Sequence, residues 1–211
     1  MPEELLGDNY SQPNGEVFIV DDDAIVRRSL QAVLSLSGFK ISQFASARQF
    51  LAHCTPSQSG CALVDMRMPE MNGLELQQEL AGKCPLMSVI IITGHADVPL
   101  AVRAMKSGAL DVLQKPFRSE KLVEQVTTAL TVSAAKVSAA QRRSGLQQKL
   151  RSLSNRERDV MNLIVEGHSN KEVASALKLS PRTVDIHRAR VMKKLGAASA
   201  VELVRMVLAN S

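Results

Sequence analysis

Apolar residues along this chain follow two rhythms. Up to about residue 131, short apolar runs of strand length alternate with amphipathic stretches of helix length. The runs cover residues 17–20, 41–44, 61–64, 89–92 and 112–113. Three of them are continuously apolar, as parallel strands covered on both faces require. Between them, residues 24–37 place Ile25, Leu30, Val33 and Leu34 on one broad face. Residues 72–81 carry Leu74, Leu76 and Leu80, and residues 98–107 carry Val98, Ala101, Val102 and Met105. Five strand–helix pairs predict an α/β domain over residues 16–131 with a five-stranded, doubly wound parallel sheet.

The second rhythm is purely helical. Residues 132–150 are rich in Ala, Ser and Gln, with Gly145 as the clear breaker, and read as a partly helical linker able to hinge. From residue 151 to 211 a smaller all-α domain of four helices is predicted. Ser154 caps the first helix, and Glu157 three positions later completes a capping box. Gly167 ends that helix. A second spans residues 170–177, and Ser180-Pro181 restarts a third that Gly196 stops. A fourth follows Ser199. Residues 1–15, broken by Pro2, Gly7, Pro13 and Gly15, read as a flexible tail.

Charge sharpens this division. Residues 1–131 hold 11 Lys/Arg and 15 Asp/Glu, a balance of −4, whereas residues 132–211 hold 15 and 6, a balance of +9. The basic half suits nucleic acid, or is simply a solvated surface; charge alone does not choose. No apolar run approaches the ~18 residues of a membrane span, and no secretory signal opens the chain. With three cysteines (Cys54, Cys61, Cys84) and no metal-type spacing, a soluble cytoplasmic protein with free thiols is expected.

In a doubly wound sheet, chemistry sits beyond the carboxyl ends of the strands. The first strand ends in Asp21-Asp22-Asp23, the third in Asp65, the fourth in Thr93-Gly94, and the fifth is followed by Lys115-Pro116. Folding then gathers carboxylates, a hydroxyl and an ammonium. A hard cation such as Mg²⁺ would relieve the carboxylate repulsion, and a carboxylate beside it can attack phosphorus. Asp65, alone on the central strand, is the best nucleophile candidate. Taken singly, each residue has a plainer reading: Asp23 as a helix cap, Asp65 as a turn residue, Lys115-Pro116 as a strand exit.

Together these residues resemble the receiver domain of two-component response regulators, a flavodoxin-like fold. The match rests on Asp21-Asp22, Asp65-Met66-Arg67-Met68-Pro69 with Asn72-Gly73, Thr93-Gly94 and Lys115-Pro116-Phe117. The resemblance implies phosphorylation of Asp65 by a sensor histidine kinase. It implies Mg²⁺ held by Asp21, Asp22, Asp65 and the main-chain carbonyl of Arg67, with Thr93 and Lys115 contacting the phosphoryl group. It also implies a Lys115–Pro116 bond that is often cis. One departure is Val112, where receivers usually carry a switching Phe or Tyr. A rival reading, a phosphohydrolase using an aspartyl phosphate, needs a second acid where this chain has Arg67. Another rival is a DNA-binding protein with a degenerate receiver, against which the intact acid–Thr–Lys set stands.

The stretch 169–190 has helix-turn-helix spacing. Val184, Val191 and Leu195 mark the inward face of its third helix, leaving residues 182, 185, 186, 189 and 193 on other faces. Leu153-Ser154, Arg156-Glu157, Gly167, Asn170 to Ala174, Leu179-Ser180, Thr183-Val184, His187 and Lys194-Leu195 resemble a LuxR-type DNA-binding domain. With the receiver, nearly the whole chain resembles FixJ-type regulators. The resemblance implies that Asp185, Ile186 and Ala189 face bases, and that Lys171, Arg182, Thr183, Arg188, Arg190 and Lys193 meet phosphates. Asp185 either accepts from a cytosine amino group or merely complements the helix dipole. His187 is a packed or phosphate-adjacent residue rather than a metal ligand. The last helix, with Val201, Leu203, Val204, Val207 and Leu208, should pack on the third and offer a dimer contact. The implied partners are double-stranded DNA bearing an inverted repeat, a second copy of the chain once phosphorylated, and RNA polymerase. The implied outcome is transcriptional activation, without enzymatic turnover and without a membrane.

Overall fold

The computed structural model describes residues 15–94 and 98–208, with Val98 described by its backbone alone. Apart from Gly15, the expected tail lies outside the described residues. The chain divides into two units, Met1–Ser138 and Ala139–Ser211. The first contains β1 (Glu16–Val20), α1 (Ala24–Leu36), β2 (Lys40–Phe44), α2 (Ala47–His53), β3 (Gly60–Asp65), α3 (Gly73–Lys83), β4 (Met87–Thr93), α4 (Val98–Lys106) and β5 (Asp111–Gln114). The helix α5 (Ser119–Arg151) begins in the first unit and ends in the second. The second unit continues with α6 (Asn155–Val165), α7 (Asn170–Leu177), α8 (Pro181–Leu195) and α9 (Ala200–Leu208).

The five strands are all parallel, in the order β2-β1-β3-β4-β5. Alternation along each strand feeds two cores. Phe18, Val20, Ala62, Val64 and Ile91 face Phe50 of α2, Leu74, Leu76 and Leu80 of α3, and Ala104 of α4. Val17, Ile19, Cys61, Leu63 and Ile90 face Leu30 and Leu34 of α1, and Leu122, Val126 and Leu130 of α5. The sequence order reverses between β1 and β3, and the crevice beyond their carboxyl ends is where such a sheet binds ligands.

Two helical faces differ from the expected ones. Ile25 is 67% exposed, and Val26 packs on the core instead. The reason is period: Val26, Leu30 and Leu34 are successive i, i+4 neighbours, whereas Ile25 falls about 100° away. In α4 the inward pair is Leu100 and Ala104, while Val102 and Met105 face out.

Residues 132–150 are helical throughout, and the helix continues through Gly145. A Cβ at Gly145 would meet nothing within 4 Å, so the position is open and the glycine costs only its entropy. Residues on either side are anchored. The Ser133 hydroxyl donates to the Leu86 carbonyl (2.7 Å) and accepts from the Gly60 N–H (2.8 Å). Leu146 and Leu150 join the core of the second unit.

That core is formed by Val160, Met161 and Ile164 of α6, Val173 of α7, Val184, Val191 and Leu195 of α8, and Leu203 of α9. The capping boxes form as expected at Ser154/Glu157 and also at Ser169/Glu172. The packing of α9 differs from expectation: it lies chiefly on α6, not on α8. The inward stripe of α8 is already covered by α6 and α7, leaving the flank of α6 for the last helix.

Candidate functional site

The carboxyl ends of β1, β3 and the residues after β5 converge. Lys115 Nζ donates to Asp65 Oδ1 at 2.8 Å and to Asp21 Oδ2 at 3.3 Å. The other oxygens are held by backbone: Arg67 N–H donates to Asp65 Oδ2 (2.7 Å) and Asp23 N–H to Asp21 Oδ1 (2.8 Å). Arg27 donates to the Asp21 carbonyl at 2.6 Å. Asp23 caps α1 through the Ile25 N–H, as its plainer reading required.

The turn that presents Asp65 is shaped by Gly73. Its N–H donates to the Met66 carbonyl (3.0 Å), and a Cβ there would lie 2.7 Å from the Asp65 carbonyl oxygen. Only glycine lets α3 begin this close to the loop. Asn72 then caps α3, reciprocated by Glu75. Thr93 ends β4 and is buried; its carbonyl accepts from the Lys115 N–H at 2.8 Å. The Lys115–Pro116 bond is cis. Asp22 is exposed, next to Asp21. Val112 is half-buried on β5 opposite Ile91, where it packs against the core.

The electrostatics are unbalanced. Burial pushes the Asp21 carboxyl above its ordinary value, and the Asp65 charge adds to this against the pull of the Asp23 N–H and Lys115. Burial opposes charge on Lys115 too, but its bonds to Asp65 and Asp21 outweigh that and raise its pKa. One ammonium thus serves two carboxylates, with a third acid beside them. Among the described residues no three His, Cys, Asp or Glu side chains form a metal cage. A few carboxylate oxygens carrying excess negative charge fit a hard cation that keeps most of its water, as Mg²⁺ does.

In the second unit, Arg182, Asp185, Ile186, Ala189, Arg190 and Lys193 are exposed along α8, and Lys171 is exposed on α7. Thr183 and Arg188 are half-buried. The Thr183 hydroxyl is bonded to Ser180 Oγ at 2.8 Å, within the cap of α8. His187 is half-buried, and among the described residues its Nδ1 is buried without a hydrogen-bond partner. Lys194 turns away from the exposed basic row: it donates to Glu157 Oε2 at 2.6 Å and to the Ser152 carbonyl at 3.1 Å. Asp185 accepts from Asn170 Nδ2 at 2.5 Å, and Asn170 Oδ1 accepts from Arg188 at 2.8 Å. Asn170 is absent from the site residues expected from sequence. Its partners lie 15 and 18 positions away, and only the crossing of α7 and α8 brings them together. Among the described residues, no helix is long and apolar enough to cross a membrane.

An acid–lysine crevice at the switch point of a parallel sheet, followed by a basic helix-turn-helix, is the architecture of a two-domain response regulator. Comparison with known proteins agrees. The family described as response regulator receiver domain matches residues 17–127, and that described as bacterial regulatory proteins, luxR family, matches residues 151–207. Transcriptional regulatory protein FixJ of Azorhizobium caulinodans is 46% identical over 192 residues, covering 91% of each chain. Response regulator protein TmoT of Ectopseudomonas mendocina is 37% identical, covering 97% of this chain and 93% of its own. Among solved structures, response regulator StyR aligns with a TM-score of 0.81 at 39% identity over 92% of this chain and 98% of its own. The chain belongs to the FixJ-like response regulators, which carry a receiver domain and a LuxR-type DNA-binding domain. These proteins are transcriptional regulators, not enzymes, and their receivers bind Mg²⁺ for phosphorylation.

Proposed function

We propose that Asp65 accepts a phosphoryl group from a partner sensor histidine kinase, and that this controls dimerisation and sequence-specific DNA binding. The observation that carries the reading is Lys115 Nζ held between Asp65 Oδ1 and Asp21 Oδ2. A carboxylate oxygen of Asp65 attacks phosphorus, the phosphorus–nitrogen bond of the donor breaks, and the imidazole leaves. Asp65 then carries a mixed anhydride. Lys115, already charged and in place, stays with the phosphoryl oxygens as they take up negative charge. The Thr93 hydroxyl is the second contact. Asp21, Asp22, Asp65 and the Arg67 carbonyl are the residues that would hold Mg²⁺. When bound, that ion neutralises the acids and the entering phosphoryl group.

The phosphoryl group shifts the receiver between two states, a coupling of a few kcal/mol by order of magnitude. In the DNA-binding domain, α8 enters the major groove. Asp185, Ile186 and Ala189 face bases, while Lys171, Arg182, Thr183, Arg188, Arg190 and Lys193 supply phosphate contacts. A dimer binds an inverted repeat with half-sites about one turn apart. The protein works in the cytoplasm as an activator that engages RNA polymerase. Full-length wild type and Asp65→Asn, incubated with a small phosphodonor and Mg²⁺, test this. Wild type should gain an acyl phosphate, dimerise and bind selected duplex DNA at least about tenfold tighter. Asp65→Asn should do none of these. An unchanged wild type would sink the proposal.

A further inference from the structure

Asp185 and Arg188 sit three positions apart on α8, a spacing at which acid and base normally pair directly. They make no ion pair with each other here, although both are described. The carboxamide of Asn170 lies between them instead. Its Nδ2 donates to Asp185 Oδ1 and its Oδ1 accepts from the Arg188 guanidinium. The two neighbours fix which end of the amide is which, since the acid needs a donor and the guanidinium an acceptor. An amide carries both at its tip, on two separate atoms and without adding charge; Asp, which only accepts, and Lys, which only donates, cannot make the same bridge. Asn170 is itself held in place as the first residue of α7, behind the Ser169/Glu172 capping box.

We infer that Asn170 is a specificity-determining positioning residue: its carboxamide holds the exposed Asp185 and the half-buried Arg188 apart where α7 meets α8, so that the acid reads a base while the guanidinium meets the backbone. This rests on the reading that α8 enters the major groove. Asn170 ties up one carboxylate oxygen and leaves Oδ2 open. A carboxylate only accepts, so it suits a base edge that presents an amino group and rejects the paired acceptors of guanine. Were Asp185 to close onto Arg188, its charge and one guanidinium edge would both be withdrawn. The bridge therefore chooses readout over a local salt bridge.

The test uses full-length phosphorylated protein and a duplex selected by wild type from a randomised double-stranded library. Asn170→Ala should weaken binding of that duplex about tenfold and change binding of an unrelated duplex less than about twofold. It should also flatten the base preference at one position in each half-site. Asp185→Asn should flatten the same position, and the double variant should be no weaker than the weaker single one. Asn170→Gln, which keeps both ends of the amide, should retain the preference. Two results overturn the inference: wild-type base preference in a folded Asn170→Ala, or equal loss on selected and unrelated duplexes. Should Asn170→Ala not fold, an unaltered preference in Asp185→Asn overturns it. Arg182→Ala and Lys193→Ala separate the levels. If both leave every duplex unaffected, the groove reading fails and takes the inference with it. If they weaken binding and the Asn170 and Asp185 variants do not, only the inference fails.

Discussion

The Asp21–Asp65–Lys115 cluster of the first unit and the Glu157–Lys194 pair of the second are built from the same groups, and Asp21 and Glu157 both expose little surface. Their electrostatics run in opposite directions. Glu157 accepts from Lys194 and from the Ser154 N–H at 2.8 Å, and these bonds hold its carboxyl far below the ordinary range, at about 2. Asp21 also has an ammonium and a backbone N–H, yet its carboxyl is pushed up, because burial dominates and Asp65 competes for the same lysine. One pair is closed, with each charge answered. The other is left one positive charge short. A satisfied ion pair fixes structure, whereas an unsatisfied one is poised to take a cation or an anion-bearing group.

The largest expected effect follows from exchanging the fates of the two lysines. Lys115→Ala should abolish most phosphodonor-dependent DNA binding, taking away nearly all of the gain of about tenfold, with little loss of fold. Lys194→Ala should leave the rate of Asp65 phosphorylation within about twofold. It should instead destabilise the second unit by about 2 kcal/mol, less than a fully buried pair because Lys194 is 38% exposed. Phosphoryl labelling and urea melts of the full chain, analysed as two transitions, measure both. A Lys194→Ala protein that loses labelling, or a Lys115→Ala protein that switches normally, breaks the distinction.

This contrast is only partly legible in sequence. The strand-end positions of Asp21, Asp65, Thr93 and Lys115 follow from apolar runs such as 61–64, because buried parallel strands announce their own ends. The capping box of Ser154 and Glu157 is equally readable, since it spans three residues. That Glu157 also captures Lys194, 37 positions away, is not, and neither is the Asn170 bridge. Both depend on how helices cross. The short helix α2 shows too little period to stand out: seven residues give two buried positions, Ala47 and Phe50. Gly145 misleads for the opposite reason. A glycine breaks a helix only where neighbours fail to hold it, and here Ser133 and Leu146 anchor the flanks.

Acid should separate the units next. The carboxyl of Glu157 lies lower in the folded chain than its ordinary 4.5, so its contribution is complete above about 4.5 and is lost as pH falls toward about 2. The second unit should lose on the order of 1–2 kcal/mol across that window, read from its urea midpoint. Glu157→Gln should flatten the profile, though from a lower starting stability. An equally steep profile in Glu157→Gln would mean that other groups carry the acid transition.

The smallest effect is also the one that most directly tests whether the receiver crevice is strained for function. Asp21 has a folded pKa above its ordinary 3.8, so its ionised form opposes folding at neutral pH, and that opposition fades as pH falls through the raised value. Asp21→Asn removes the charge. An amide oxygen can still accept from the Asp23 N–H, and Lys115 keeps Asp65. The first unit should therefore become more stable by about 1 kcal/mol, a common size for relief of a functional site. The gain should be absent at a pH low enough to protonate Asp21 in the wild type. The same variant should label poorly with phosphodonor and Mg²⁺, because the crevice no longer carries the excess negative charge that draws in the cation. A stabilised protein that still labels normally would show that Asp65 alone suffices. A destabilised one would show that Asp21, like Glu157, is there to hold the fold.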